Sequence, residues 1–187
     1  MHRLTTQLHA HDADRISAHL LRLTAEDRSL RFAAGVVTDD TVRAYVKRIR
    51  FGHDVVLGLV SQLGQVYGFA HGCVFEQGGK LHVEVAFSVD TAWRGACLGK
   101  ALMRDMQLHA SQRCRDCVAV VGQCAARNWP MRRLFEGAGL ALRREDDEVH
   151  AHGWLAHPQA EVADASPVLW GSTGKGTAPT MLPCGIQ

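Results

Sequence analysis

The chain predicts an α/β fold, a mixed and largely antiparallel sheet flanked by helices. Three observations point there. Leu81–Val89 alternates apolar and polar residues with a period of two. Cys117–Gln123 is short and almost wholly apolar, as a central strand covered on both faces should be. Between and before them lie stretches whose apolar residues recur at helical spacing.

The elements follow in order. Asp14–Leu23 places Ile16, Leu20 and Leu23 on one helical face, with Asp12 or Asp14 as N-cap. Asp39–Arg50 is a second helix with Val42, Tyr45, Val46 and Ile49 as its stripe and Thr38 or Asp39 as cap. The period then changes. Val55–Leu63 and Gln65–Phe75 read as a hairpin turning at Leu63-Gly64. In Leu81–Val89, residues Leu81, Val83, Val85, Phe87 and Val89 share one face, and His82, Glu84, Ala86 and Ser88 the other. Gly99–Gln112 is a helix with Leu102 and Met106 on one side. Cys117–Gln123 is the next strand, and Trp129–Gly137 the next helix, with Asn128 at the cap and Pro130 in the first turn. Leu140–Leu155 supplies one or two closing strands. Short connections make the meander antiparallel. The strand–helix–strand unit from Leu81 to Gln123 must be parallel.

Composition bounds the function. With 187 residues, 47% of them hydrophobic, the chain can bury a core without staples. Lys plus Arg is 21 against 19 acidic residues, and no basic run exceeds two, so no nucleic-acid partner is expected. No apolar stretch approaches the ~20 residues of a membrane span. Met1–Asp12 lacks the apolar core of a secretory signal. A cytoplasmic protein with reduced thiols is the expectation. Cys114-Arg-Asp-Cys117 and His150-x-His152 do not have the spacing of a usual zinc site, and no metal is expected. Four of the five prolines fall between Pro158 and Pro183. This separates a domain over residues 1–156 from a Pro/Gly-rich tail over 157–187, through which a homodimer remains open.

The chemistry sits in Val89-Asp90-Thr91-Ala92-Trp93-Arg94-Gly95-Ala96-Cys97-Leu98-Gly99-Lys100. A strand ends, a Gly-bearing loop follows and a helix begins. Unpaired N–H groups at a helix N-terminus attract phosphate. Arg94-x-x-Cys97-x-Gly99 resembles the coenzyme A pyrophosphate loop of the GNAT superfamily of acetyltransferases, Gln/Arg-x-x-Gly-x-Gly/Ala. Asn128-Trp129-Pro130 through Gly137-Ala138-Gly139-Leu140 is similar to a second family element, and Leu23–Phe32 to the N-terminal helices of some members. The resemblance covers about residues 3–155.

That resemblance implies a GNAT-like fold in which the strands Leu81–Val89 and Cys117–Gln123 form a parallel pair splayed around acetyl-CoA. It implies cofactor contacts at Phe87, Ser88, Val89, Arg94, Gly95, Ala96, Cys97, Leu98, Gly99, Lys100 and Asn128. It makes Glu84 the base for direct attack by an amine, with His82 as a rival on the same face. The acceptor would be a small amine or a protein lysine. Two departures stand out. Cys97 occupies a position that is usually Gly, so the loop either strains at positive φ or adopts an ordinary one. Phe135 occupies the position where many members carry the Tyr that protonates the leaving thiolate. These departures favour a second reading, a non-catalytic acyl-CoA-binding or regulatory module. A third, a zinc-dependent interaction module, would show stoichiometric metal and no affinity for coenzyme A.

Overall fold

The computed structural model describes residues 5–113 and 117–156. The proposed tail and Cys114 lie outside these. The elements are β1 (Thr6–Gln7), α1 (Ala13–Arg22), α2 (Ala25–Phe32), α3 (Asp39–Arg48), β2 (Val55–Val60), β3 (Val66–Gln77), β4 (Lys80–Val89), α4 (Leu98–Ser111), β5 (Cys117–Ala125), α5 (Trp129–Gly137), β6 (Ala141–Glu145) and β7 (Glu148–Ala156). Seven strands form one sheet in the order β1-β2-β3-β4-β5-β7-β6. Every neighbouring pair is antiparallel except β4 with β5.

Helices cover both faces of the sheet, and each face has its own core. On one, Ile16 and Leu20 of α1, Phe32 of α2 and Val42 and Tyr45 of α3 close over Val56 and Phe69. On the other, Leu102, Met103 and Met106 of α4 and Phe135 of α5 close over Val83, Val85 and Val120. The alternation of β4 is what assigns its side chains. Val83 and Val85 are buried toward α4, while His82, Glu84, Ala86 and Ser88 are half-buried on the face of α1–α3.

Local chemistry sets the ends. The Thr38 hydroxyl accepts the Thr41 N–H at 3.2 Å and opens α3. Asn128 Oδ1 accepts the Met131 N–H at 3.2 Å and opens α5, with Pro130 in its first turn. Asp12 stands at the N-cap of α1, but its carboxylate accepts the His9 N–H and pairs with Arg15 rather than capping the helix. Helix α2 is legible in the sequence only through the family resemblance. Thr24 caps it by accepting the Asp27 N–H at 3.1 Å. The hairpin at Leu63-Gly64 forms as expected, with a shorter β2 and a bulge between Leu59 and Val60. The β3–β4 turn is Gly78-Gly79, both at positive φ, which suits the two-residue turn that matches strand twist. The closing stretch is two strands joined at Asp146-Asp147.

Candidate active site

The parallel ladder is short. Strands β4 and β5 pair only at His82↔Ala119, Val83↔Val120 and Glu84↔Val121. Yet β4 continues on β3 to Val89, and β5 continues on β7 to Ala125. From Val85 and Gly122 onward the two strands face each other without pairing. Backbone groups along that split lack the ladder partners that a continuous sheet would supply. The side chain at its apex is Phe135. A Cβ on Gly122 would lie 2.7 and 2.9 Å from the Phe135 ring and 3.4 Å from a Val85 methyl. Glycine is thus what lets the ring seat against β5, where the strands part.

The lower lip of the split runs into the loop before α4. Thr91–Trp93 is a single 3-10 turn, and Trp93 stacks on Tyr67 at 4.7 Å. Arg94 donates from Nε to the Val89 carbonyl at 3.1 Å and pairs with Asp27 of α2 at 2.9 Å. Its guanidinium is therefore turned to α2. Gly95 has φ 84° and Cys97 φ 57°. No side chain caps α4, so its first N–H groups are free of intrahelical partners. A Cβ on Gly99 would meet only Leu134 methyls at 3.9 and 4.0 Å, which leaves open space beside these amides.

Cys97 settles one alternative left by the sequence: it takes the left-handed conformation, with its side chain exposed. A Cβ there costs ~1–2 kcal/mol, partly offset by the extra freedom glycine has in the unfolded chain. Cys97→Gly is expected to raise stability by about 0.5–1 kcal/mol, read from a denaturation midpoint at unchanged slope. An unchanged or lowered midpoint would show that the strain is absent.

On the face of α1–α3, Glu84 lies in register between Cys73 of β3 and Val121 of β5, with His152 of β7 opposite Val121. His82 stacks on Phe75 at 5.3 Å and meets Trp154 edge-on at 5.9 Å. Its Nδ1 donates to the Lys80 carbonyl at 3.0 Å. Burial, helped by the nearby His82, pushes the His152 pKa down. Glu84 and His82 are thus both on one sheet face at the closed end of the split. Asn128 lies just beyond β5, on the opposite lip, with its side-chain oxygen engaged in capping α5. Trp129 beside it carries the Arg132 guanidinium at 4.1 Å.

Sequence reasoning missed the polar groups packed behind the lips. His19 of α1 is fully buried, with Nε2 2.8 Å from Ser88 Oγ and Nδ1 2.9 Å from Asp90 Oδ1. A histidine inside the apolar stripe of α1 was the available signal. Farther away, buried Asp54 receives His71, Arg50 and the Val74 N–H. Among the described residues no group of three His, Cys, Asp or Glu side chains is arranged to hold a metal.

Solved structures on which this chain superposes include acetyltransferases. The GNAT domain of S. lividans PAT superposes with a TM-score of 0.66 at 22% identity, over 81% of this chain and 89% of that one. The ribosomal-protein-alanine N-acetyltransferase of Brucella melitensis gives 0.63 at 17% identity, over 81% and 99%. A GNAT superfamily phosphinothricin acetyltransferase from Sinorhizobium meliloti, in complex with acetyl-CoA, gives 0.61 at 13% identity, over 87% and 92%. No protein-family model matches the sequence, and no curated protein matches it. The fold of this chain is the GNAT fold, as the order of its strands and the single parallel pair require.

Proposed function

We propose that the chain is an N-acetyltransferase that uses acetyl-CoA and a primary amine, either a small molecule or a protein lysine. The observation that carries this reading is the split between β4 and β5, opening beside the uncapped N-terminus of α4. Acetyl-CoA bound there would supply an activated acetyl thioester. The residues present fit such a ligand. Leu98, Gly99 and Lys100 offer N–H groups and one positive charge to a pyrophosphate. Phe87, Ser88 and Val89 line one edge of the split, and Asn128 follows the other. Gly95, Ala96 and Cys97 shape the loop, and Arg94 adds charge near it while bracing α2.

Glu84 is the proposed base. It stands on the sheet face opposite α4, so an amine arriving from that side meets it while the cofactor enters from the other. It takes a proton from the amine, directly or through a water, and unpaired N–H groups of β4 hold the carbonyl oxygen. The domain carrying this activity would be residues 1–156, with 157–187 an appended segment. No helix among the described residues is long and apolar enough to cross a membrane, and a cytoplasmic location is part of the proposal.

Thermal unfolding with acetyl-CoA at 100 times its dissociation constant is expected to gain roughly 2.7 kcal/mol of stability. At ~2–4 °C per kcal/mol, the midpoint rises by about 5–10 °C. Gly99→Glu, with charge and bulk set against the phosphate site, should remove the shift while remaining folded. A shift that persists in that variant puts the cofactor elsewhere. Glu84→Gln should then lower turnover roughly 100-fold or more, in the range of general base loss, with acetyl-CoA affinity kept. Turnover equal to the parent excludes Glu84. Binding without turnover on any amine would select the non-catalytic module instead.

A further inference from the structure

The helices on the Glu84 face of the sheet hold a guanidinium that has no carboxylate. Helices α1 and α2 carry Arg15, Arg22, Arg28 and Arg31. Arg15 pairs with Asp12 at 2.6 Å, Arg22 with Asp90 at 2.8 Å and Arg28 with Asp39 at 2.7 Å. Among the described residues Arg31 pairs with no Asp or Glu. Its Nη2 donates to the Tyr45 hydroxyl at 2.7 Å, and its Nε is buried without a hydrogen-bond partner. The rings of Phe32, Tyr45 and Phe69 lie 5.4, 5.2 and 5.9 Å from its Cζ. Rings attract a cation but do not cancel its charge. A half-buried guanidinium with donors to spare and no counter-charge is receptive to an anion. Position ties this charge to the split. Helix α2 touches both β4 and β5 on the face opposite α4, so Arg31 is remote from the site proposed for the coenzyme pyrophosphate. Phe69 is in register with Ser88, and His71 with Ala86. Burial lowers the pKa of His19 and of His71, and the Arg31 charge adds to each depression, so it lies near both. The guanidinium thus stands two to four residues along β4 from Glu84, on the same face.

We propose that Arg31 receives the carboxylate of the acceptor, and that the acceptor is a free amino acid. The proposal rests on the acetyltransferase reading of the split. At ~3.3 Å per residue, the gap along β4 is about 7–13 Å. An amine hydrogen-bonded to Glu84, a short carbon link and a carboxylate against Arg31 bridge it. A lysine side chain of a folded protein carries no carboxylate within that reach. A guanidinium suits the planar, forked geometry of a carboxylate. A doubly charged phosphate would need a second cation, and Arg22 and Arg28 are already paired. The amine nitrogen bonds to the acetyl carbon, and the C–S bond breaks with its electron pair on sulfur. The protons shed by nitrogen pass through Glu84 to solvent and the thiolate. The product is an N-acetyl amino acid.

The test sets each standard amino acid beside its decarboxylated amine, on the full chain with acetyl-CoA. Phenylalanine against phenethylamine is one such pair. Thiol release measures turnover, and calorimetry with coenzyme A present measures acceptor binding. At least one amino acid is expected to exceed its amine about 10–100-fold in kcat/KM, the range of a charge-assisted hydrogen-bonded pair. This comparison on the parent chain needs no variant to fold. Arg31→Met should raise KM for that amino acid by the same factor and remove the preference, and Arg31→Lys should recover part of it. Amines acetylated as fast as their amino acids overturn the proposal and leave the acetyltransferase reading in place. A preference that survives in Arg31→Met overturns it as well, and O-phosphoethanolamine outrunning every amino acid overturns the carboxylate. Amino acids that bind through Arg31 without being acetylated keep the anion site and remove the acetyltransferase reading. If no amino acid binds or reacts, the proposal falls, and the thermal shift with acetyl-CoA decides the coenzyme separately.

Discussion

Phe135→Ala is expected to cost about 3–5 kcal/mol of folding stability, the range for deleting a fully buried aromatic ring. The ring has no exposed surface and belongs to the core under α4 and α5. It sits against Gly122, whose Cβ would overlap it, so β5 has no side chain of its own to fill the space. Total stability is typically ~5–15 kcal/mol, so the variant should be near the limit of folding. Urea denaturation monitored by tryptophan fluorescence measures it. A loss under ~1 kcal/mol would mean that neighbours collapse into the cavity and that the ring is not what fills the apex of the split. The same geometry bears on the missing tyrosine. Phe135 is fully buried with Cζ facing Gly122, so an added hydroxyl starts from an atom that is already covered. Phe135→Tyr is expected to lose ~1–3 kcal/mol by overpacking rather than restore a proton donor.

Acidification is the second large effect. His19 is held at about 4 by burial, which outweighs the opposing pull of Asp90, with Arg22 and Arg31 adding to the depression. In the unfolded chain its pKa returns to about 6.5. Between those values the unfolded state binds more protons, so stability rises with pH through the window. Lowering the pH from 7 to 4 should therefore cost about 3 kcal/mol from His19 alone, with the slope flattening below about 4. Burial pushes His71 down as well, against its contact with Asp54, and its contribution has the same sign. Asp54 does not share the window. Burial raises its pKa, but hydrogen bonds from His71, the Val74 N–H and the Arg50 N–H more than offset this and hold it well below the usual carboxylate range. It stays charged, and its contribution is lost only at lower pH. Unfolding free energies at pH 7, 5.5 and 4.5 test the sum. A flat profile would show that His19 protonates in the folded protein.

What could be read from the residues was local. The alternation of β4 assigned Glu84 and Val85 to opposite faces, because a strand's period fixes direction without knowledge of its neighbours. Thr38 and Asn128 were legible as caps for the same reason: their partners are three residues away. Helix α2 has few apolar residues, with Phe32 its buried one, so periodicity could not reveal it. The His19–Ser88 contact joins residues 69 apart in sequence, and no spacing rule reaches that far. At Cys97 the residue type narrows the loop to strain or an ordinary φ, and only the folded backbone decides between them.

The three-rung ladder also has a mechanical meaning. Strands β1 to β4 form one plate, and β5, β7 and β6 another. Three residue pairs at one end join them directly, α4 packs across both plates on one face, and α2 touches both β4 and β5 on the other. Such a body bends most easily about the joint, like a book held by a short spine. Small rotations there change the width of the opening most at its mouth and least at Phe135. Any molecule that bridges both edges far from the spine gains leverage over the angle, so occupancy of the split and stiffness of the whole sheet become one quantity.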